Sequence, residues 1–190
     1  MPATPFSIPV ASATLVLIDM QQIFKEPSSQ WHVSNYDQVA EQVARLRTKF
    51  EWAIWTRFVR DPMELGAWQA YYQRWDRCRE ARDSPQWDLT LDPQPEDGIL
   101  SLPTFSKWGP QLCESVAGTE HLVVAGVATD CCVLSTVLGA VDAGKRVTVV
   151  SDACGGTSPT VHQQALELME LLNPMVQILE AGQVDGLLEA

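Results

Sequence analysis

Apolar strand-like runs that alternate with helical patterns predict an α/β fold: a doubly wound, Rossmann-like, mainly parallel sheet of six strands with helices on both faces. Two further observations agree with this. Runs such as Thr14–Ile18 and Val147–Val150 are continuously apolar, as strands covered on both faces are. The chain has 190 residues and 46% hydrophobic content, enough to bury a full core as one domain spanning 1–190.

The elements follow in order. A first strand covers Thr14–Ile18, and a helix covers Tyr36–Glu51 with Asn35 as its N-cap. Trp52–Thr56 is the second strand. From Arg60 to Pro95 the pattern departs most from simple alternation. Here Trp68, Tyr71, Tyr72 and Trp75 follow one helical face, which either packs on the core or a second subunit, or forms an aromatic lid over a pocket. Asp83 to Gly98 is rich in proline and acidic residues and reads as an exposed connection. A short strand near Ile99–Leu102 and a helix at Pro110–Val116 lead to the strand His121–Ala125 and a tight turn, Gly126–Thr129. Asp130 opens a helical run to Ala143 carrying Val133, Leu134, Val137, Leu138 and Val141, with Gly144 as its C-cap. The strand Val147–Val150, the helix Pro159–Leu172 and the strand Met175–Leu179 complete the sheet. Right-handed crossovers then gather the strand carboxyl ends on one edge, where ligands bind.

The stretch GVATDCCV at 126–133 carries the chemistry. It puts Cys132 in a first helical turn, where free amides and the helix dipole favour an anion, so that a thiolate there can titrate several units below about 8.5. Cysteines are also common small core residues, and the local pattern only mildly prefers Cys132 over Cys131. The turn before it offers backbone amides to a developing oxyanion. Asp19, Leu102 with Ser106, and Gly126–Cys132 all follow strand carboxyl ends, so one edge collects them.

Composition narrows the function. The formal net charge is −11, from 13 basic and 24 acidic residues, with no basic cluster to follow a phosphate backbone; nucleic acid is not an expected partner. No apolar run reaches the roughly 18 residues of a membrane span. The N-terminus lacks a signal-peptide pattern, and five cysteines without paired spacing fit free thiols in a reducing compartment, so a cytoplasmic protein is expected. No nucleotide-binding glycine motif is present. His32, His121 and His162 are widely separated, so no metal or other cofactor is expected.

Three segments together resemble the cysteine hydrolases of the isochorismatase-like superfamily: LVLIDMQQIF at Leu15–Phe24, TFSKW at Thr104–Trp108, and GVATDCCV. The resemblance spans roughly residues 13 to 180. It implies Asp19 as the catalytic acid–base and Cys132 as the nucleophile, with the amides of Ala128 and Cys132 holding the oxyanion. It also implies a cis peptide at Val127–Ala128. Phe24 and Trp108 in the matched segments, and Arg57 after the second strand, are the expected substrate contacts. Arg57 and Arg60 would supply local positive charge.

One position departs from the family. Its lysine commonly lies four residues before the serine of the second segment, where this chain has Leu102. Lys107 either supplies that charge from another direction or is a surface lysine beside Trp108. The implied activity is hydrolysis of a small amide, carbamoyl or ureido carbon–nitrogen bond through a thioester. The alternatives are an isochorismatase-type vinyl-ether hydrolase, and an impaired pseudoenzyme serving as a binding or assembly subunit. The expected partners are a small-molecule substrate and a second copy of the chain, as a homo-oligomer with the 68–75 face as its candidate interface.

Overall fold

The computed structural model describes residues 6–9 and 12–189. In chain order its elements are β1 (Ile8–Pro9), β2 (Ala13–Ile18), α1 (Gln22–Lys25), α2 (Tyr36–Arg47), β3 (Ala53–Phe58), α3 (Trp68–Arg74), β4 (Gly98–Leu102), α4 (Pro110–Ser115), β5 (His121–Val127), α5 (Leu134–Asp142), β6 (Arg146–Gly155), α6 (Pro159–Glu170), β7 (Val176–Leu179), α7 (Ala181–Leu187) and β8 (Leu188–Glu189). Six strands form one parallel sheet in the order β4-β3-β2-β5-β6-β7, and β1 pairs with β8 apart from it. This is the doubly wound sheet that the alternation predicts. Winding reverses between β2 and β5, which is where a cleft opens at the strand carboxyl ends.

The apolar character of the central strands is explained by what covers them. Every residue of β2 and of β5 is buried. On one face lies a core that includes Val39, Val43 and Leu46 of α2, Tyr72 of α3 and Val184 of α7. On the other lies a core that includes Leu112 of α4, Val137 and Val141 of α5, and Leu166 and Met169 of α6. Gly126, with φ +117°, brings β5 close to β2: a Cβ there would lie 2.1 Å from the Ile18 carbonyl oxygen. Only glycine tolerates both the conformation and the contact.

Several boundaries differ from the sequence expectation for local reasons. Strand β6 continues five residues past Val150 to Gly155, because Cys154 and Gly155 pair with Gly126 and Val127 after an irregularity in the register. Helix α2 stops at Arg47, and the Asn35 side chain makes no capping bond. Helix α5 begins only at Leu134, because Thr129–Val133 forms a π-helical turn in which the amides of Cys131 and Val133 both donate to the Ala128 carbonyl (3.0 and 3.1 Å). Ser158 caps α6 through a bond from the Val161 amide, ahead of Pro159.

The 60–97 insertion is held by two buried carboxylates. Glu64 accepts hydrogen bonds from Arg60 Nε (2.6 Å), Arg79 Nε (2.7 Å) and Arg79 Nη2 (2.6 Å). The Asp97 carboxylate, fully buried, accepts from Arg47 Nε (2.9 Å) and Nη2 (2.6 Å), Trp55 Nε1 (2.7 Å) and the amides of Ala53 (2.8 Å) and Gln94 (3.0 Å). The acidic connection expected to be merely exposed is therefore anchored at its end to α2 and β3. Among the described residues, no helix is long and apolar enough to cross a membrane.

Candidate active site

Asp19 stands at the carboxyl end of β2 with φ +49°, a left-handed conformation that aspartate adopts more readily than most residues. Thr56 of β3 holds it. The Asp19 amide donates to Thr56 O and Oγ1, both at 3.2 Å, and Thr56 Oγ1 donates to Asp19 Oδ1 at 2.7 Å. Lys107 Nζ lies 2.9 Å from the other carboxylate oxygen, Oδ2, and both side chains are fully buried. That contact is an ion pair out of hydrogen-bond alignment, so Oδ2 has no hydrogen-bond donor. Nζ instead donates to Thr104 O at 2.8 Å and lies 4.9 Å from the Phe58 ring centroid.

The TFSKW segment turns Lys107 inward because its backbone is tied to α5. The Lys107 amide donates to Thr136 Oγ1 (2.8 Å), and Ser106 Oγ donates to Ser135 O (3.1 Å) while accepting from the Trp108 amide (3.2 Å). Lys107 is thus not a surface lysine. Burying a charge is costly unless it is paired, and Asp19 provides the pair.

The GVATDCCV turn contains a cis peptide at Val127–Ala128, where the resemblance implied one. Cys132 is buried and Cys131 half-buried. The Cys132 carbonyl accepts from Thr136 Oγ1 (2.6 Å), and the Cys131 carbonyl from Ser135 Oγ (2.6 Å). The Cys132 thiol is held well above its ordinary range, first by its hydrogen bond with Cys131, then by burial and the Asp19 carboxylate, with Lys107 opposing. This corrects the expectation of a depressed thiolate. The π-helical turn sets Cys132 against the Cys131 thiol and away from water, and those effects, with the Asp19 charge, exceed the pull of the helix start. Cys154, also buried, is pushed up to about 12 by burial.

Ala128, Cys131 and Cys132 form one wall of a cavity of about 370 Å³. Phe24, Trp31, Phe58, Tyr71, Trp75 and Phe105 make the rest of it strongly aromatic, and Gln30, Arg74, Asp130 and Thr157 add the polar positions. Phe24 stacks on Trp31 (centroids 5.8 Å apart), and Tyr71 meets Phe105 edge-on at 5.4 Å. The structure brings Asp19, Lys107, Ala128, Cys132 and Phe24 together. It does not bring in Arg57 or Trp108. Arg57 is directed to Ser101 Oγ (3.1 Å) on the exposed side of β3 and β4, and Trp108 packs on Gly139 of α5, where a Cβ would approach Trp108 Cβ to 2.8 Å and the indole to 3.0 Å. Arg60 is engaged by Glu64 and the Glu80 carbonyl. Arg74 is the arginine that lines the cavity.

Trp31, Phe105 and Arg74 were not among the predicted contacts, and Tyr71 and Trp75 were named only in the reading of 68–75 as a lid. The helical spacing of 68–75 carried a signal for Tyr71 and Trp75, and that helix does both things expected of it: Tyr72 enters the core while Tyr71 and Trp75 line the cavity. Trp68 also packs against Phe105 (4.9 Å), and Trp68, Tyr71 and Trp75 are each half-buried. Trp31 lies in a polar loop without periodicity and gave no signal. Among the described residues, no three His, Cys, Asp or Glu side chains converge as metal ligands.

Comparison with known proteins matches residues 13–181 to the isochorismatase domain. This chain belongs to the isochorismatase family. Its fold is that of a cysteine hydrolase from Pseudomonas syringae pv. phaseolicola 1448A (TM-score 0.83, 19% identity, 96% of each chain covered). It is also that of a pyrazinamidase of Pyrococcus horikoshii solved with zinc (TM-score 0.71, 23% identity, 89% of this chain and 99% of the other). In sequence it is 40% identical over 52 residues to the nicotinamidase of Escherichia coli K12, a match covering 27% of this chain and 24% of that protein. In this isochorismatase-family member the buried lysine on Asp19 comes from the TFSKW segment. The separated histidines of this member do not fit a zinc site: among the described residues they do not converge with one another or with Cys, Asp or Glu side chains.

Proposed function

We propose that this protein hydrolyses the carbon–nitrogen bond of a small amide, carbamoyl or ureido compound, with Cys132 as nucleophile, Asp19 as acid–base and Lys107 as the cationic partner. The observation that carries this reading is the fully buried Lys107–Asp19 pair next to a buried thiol on the wall of an aromatic cavity. Asp19 Oδ2, which lacks a hydrogen-bond donor, takes the thiol proton as Cys132 Sγ attacks the carbonyl carbon. The amides of Ala128 and Cys132 receive the oxyanion. Asp19 then returns the proton to the leaving nitrogen, the carbon–nitrogen bond breaks, and water, deprotonated by Asp19, cleaves the thioester. Lys107 offsets the charge of Asp19 throughout. A raised thiol suits this order of events, because the proton moves only when a carbonyl is in place.

The partial likeness to a nicotinamidase supports an amide substrate, and the cavity walls suit a flat, apolar acyl group. The pseudoenzyme reading rested on the absence of lysine at Leu102, and a buried lysine on Asp19 takes away that argument. Steady-state assay of a panel of small aromatic and aliphatic amides, carbamoyl and ureido compounds tests the proposal. Turnover that vanishes in Cys132→Ala, with a thioester trapped by acid quench and seen by mass spectrometry, is expected. Turnover unchanged by Cys132→Ala overturns it. Light scattering tests the homo-oligomer, with 68–75 as its candidate interface; a 21.0 kDa species alone excludes it.

A further inference from the structure

The nucleophile turn is braced from outside by the connection between β6 and α6. Thr129, the residue directly after Ala128, is fully buried, and among the described residues its hydroxyl has one partner: His162 Nδ1 of α6, at 2.8 Å. A buried hydroxyl left without a partner is destabilising, so the imidazole is what makes this buried threonine tolerable. The next residue, Asp130, accepts from the Thr157 amide (2.9 Å) and hydroxyl (3.0 Å). Gly156 is squeezed between the two: a Cβ there would meet His162 Cβ at 2.8 Å and Asp130 Oδ1 at 2.9 Å. Nothing loose separates α6 from the turn.

We propose that His162 is a positioning residue for the reaction: through the buried Thr129 hydroxyl it fixes the turn whose Ala128 carbonyl aligns Cys131 and Cys132 and whose amides receive the oxyanion. This rests on the reading of Cys132 as nucleophile. The physical link is short. Rotation of Thr129 would carry the Ala128 carbonyl with it, and that carbonyl is the acceptor for the amides of both Cys131 and Val133. Losing the brace would misplace the oxyanion site while leaving the aromatic cavity, and hence ground-state binding, as it is. Burial keeps His162 below its ordinary range, against the opposing Asp130 carboxylate, so the brace is a neutral imidazole at pH 7.

The test uses the full-length protein and two readouts. One is kcat against KM on the best amide of the panel. The other is the equilibrium constant for benzaldehyde, to whose carbonyl carbon Cys132 Sγ adds reversibly while the thiol proton passes to the oxygen, giving a hemithioacetal that mimics the tetrahedral state. His162→Ala is expected to lower kcat and aldehyde affinity about 10- to 100-fold with KM little changed. His162→Asn, whose amide falls near the Nδ1 position, should recover most of the loss. Thr129→Val, which keeps shape and removes only the hydroxyl, should reproduce it, and adding His162→Ala to Thr129→Val should cost little more. If His162→Ala does not fold, the Thr129→Val and His162→Asn pair still decides. Additive losses, or unchanged kcat and aldehyde affinity in Thr129→Val, overturn the proposal. A wild-type protein that neither turns over amides nor forms the aldehyde adduct overturns the nucleophile reading itself, and the brace with it.

Discussion

Two charged side chains at the centre of the molecule are each other's condition for being there. Lys107 and Asp19 are both fully buried and in contact, and removing one member of such a pair typically costs about 3–5 kcal/mol because it strands the other charge. Lys107→Met should therefore lower stability by about that amount and turnover by about 10²–10³-fold. The double variant Lys107→Met with Asp19→Asn should regain stability without regaining activity. Leu102→Lys should not help, since the carboxylate is already paired. Chemical denaturation alongside steady-state rates separates these outcomes; recovery of rate in Leu102→Lys combined with Lys107→Met would instead mean that the charge matters and its origin does not. A second expectation concerns the thiol. Because its native titration is raised, Cys132 is protonated at pH 7, and the thiolate absorbance near 240 nm that is lost in Cys132→Ala should appear only in alkaline solution, above the ordinary value of about 8.5. A step below pH 7 would show that the Cys131 contact and burial do not hold the thiol up. At this scale Asp19, Cys132 and the presence of a nearby lysine were legible in sequence, since each is tied to a strand end or a segment. The direction of the thiol shift was not, because it depends on how the π-helical turn sets Cys132 against Cys131, on the depth of Cys132, and on a carboxylate over a hundred residues away in the chain.

Long elements were legible from periodicity, while short or irregular ones were not. Helix α1 has four residues and α7 has seven, too few to repeat an apolar face, and α7 is announced only by the capping box of Glu180 and Gln183. The π-helical turn at Thr129–Val133 has helix-like composition, so sequence merges it with α5. Asp97 shows how a residue that reads as part of a solvated acidic run can order an element. Arg47 is buried beneath it, so Asp97→Ala should destabilise the fold by about 3–5 kcal/mol at pH 7. Burial alone would raise its carboxyl, but bonds from Arg47, Trp55, Gln94 and Ala53 together hold it below the ordinary range. A depressed native value contributes stability above the unfolded value of about 3.9 and loses it as pH falls through the native one. The stability gap between wild type and Asp97→Ala should thus be full near neutrality and shrink below about pH 4, as urea titrations across pH would show. A gap independent of pH would assign the effect to lost packing.

For the whole molecule, the sheet order explains why residues far apart in sequence share one site: β2 and β5 are neighbours at the reversal of winding, and β3 and β4 lie just beyond β2. Alternation and strand ends predicted that convergence. What they left out was the opposite wall of the cavity, built from the loop at Trp31 and from α3, because an insertion has no counterpart in a minimal alternating pattern.

That wall has a spectroscopic consequence. Of the seven tryptophans, Trp31 and Trp75 line the cavity, while Trp55 and Trp87 are buried elsewhere. Any compound that enters must displace water from beside two indoles, so occupancy is written into the intrinsic emission of the protein. Titrating benzamide into Cys132→Ala should quench or shift that emission to saturation, and Trp31→Phe with Trp75→Phe should erase most of the signal while the buried indoles still glow. A response that survives both substitutions would locate the ligand outside the cavity. The protein therefore needs no label to report on its own ligands, and candidate substrates can be ranked by fluorescence before any product is assayed.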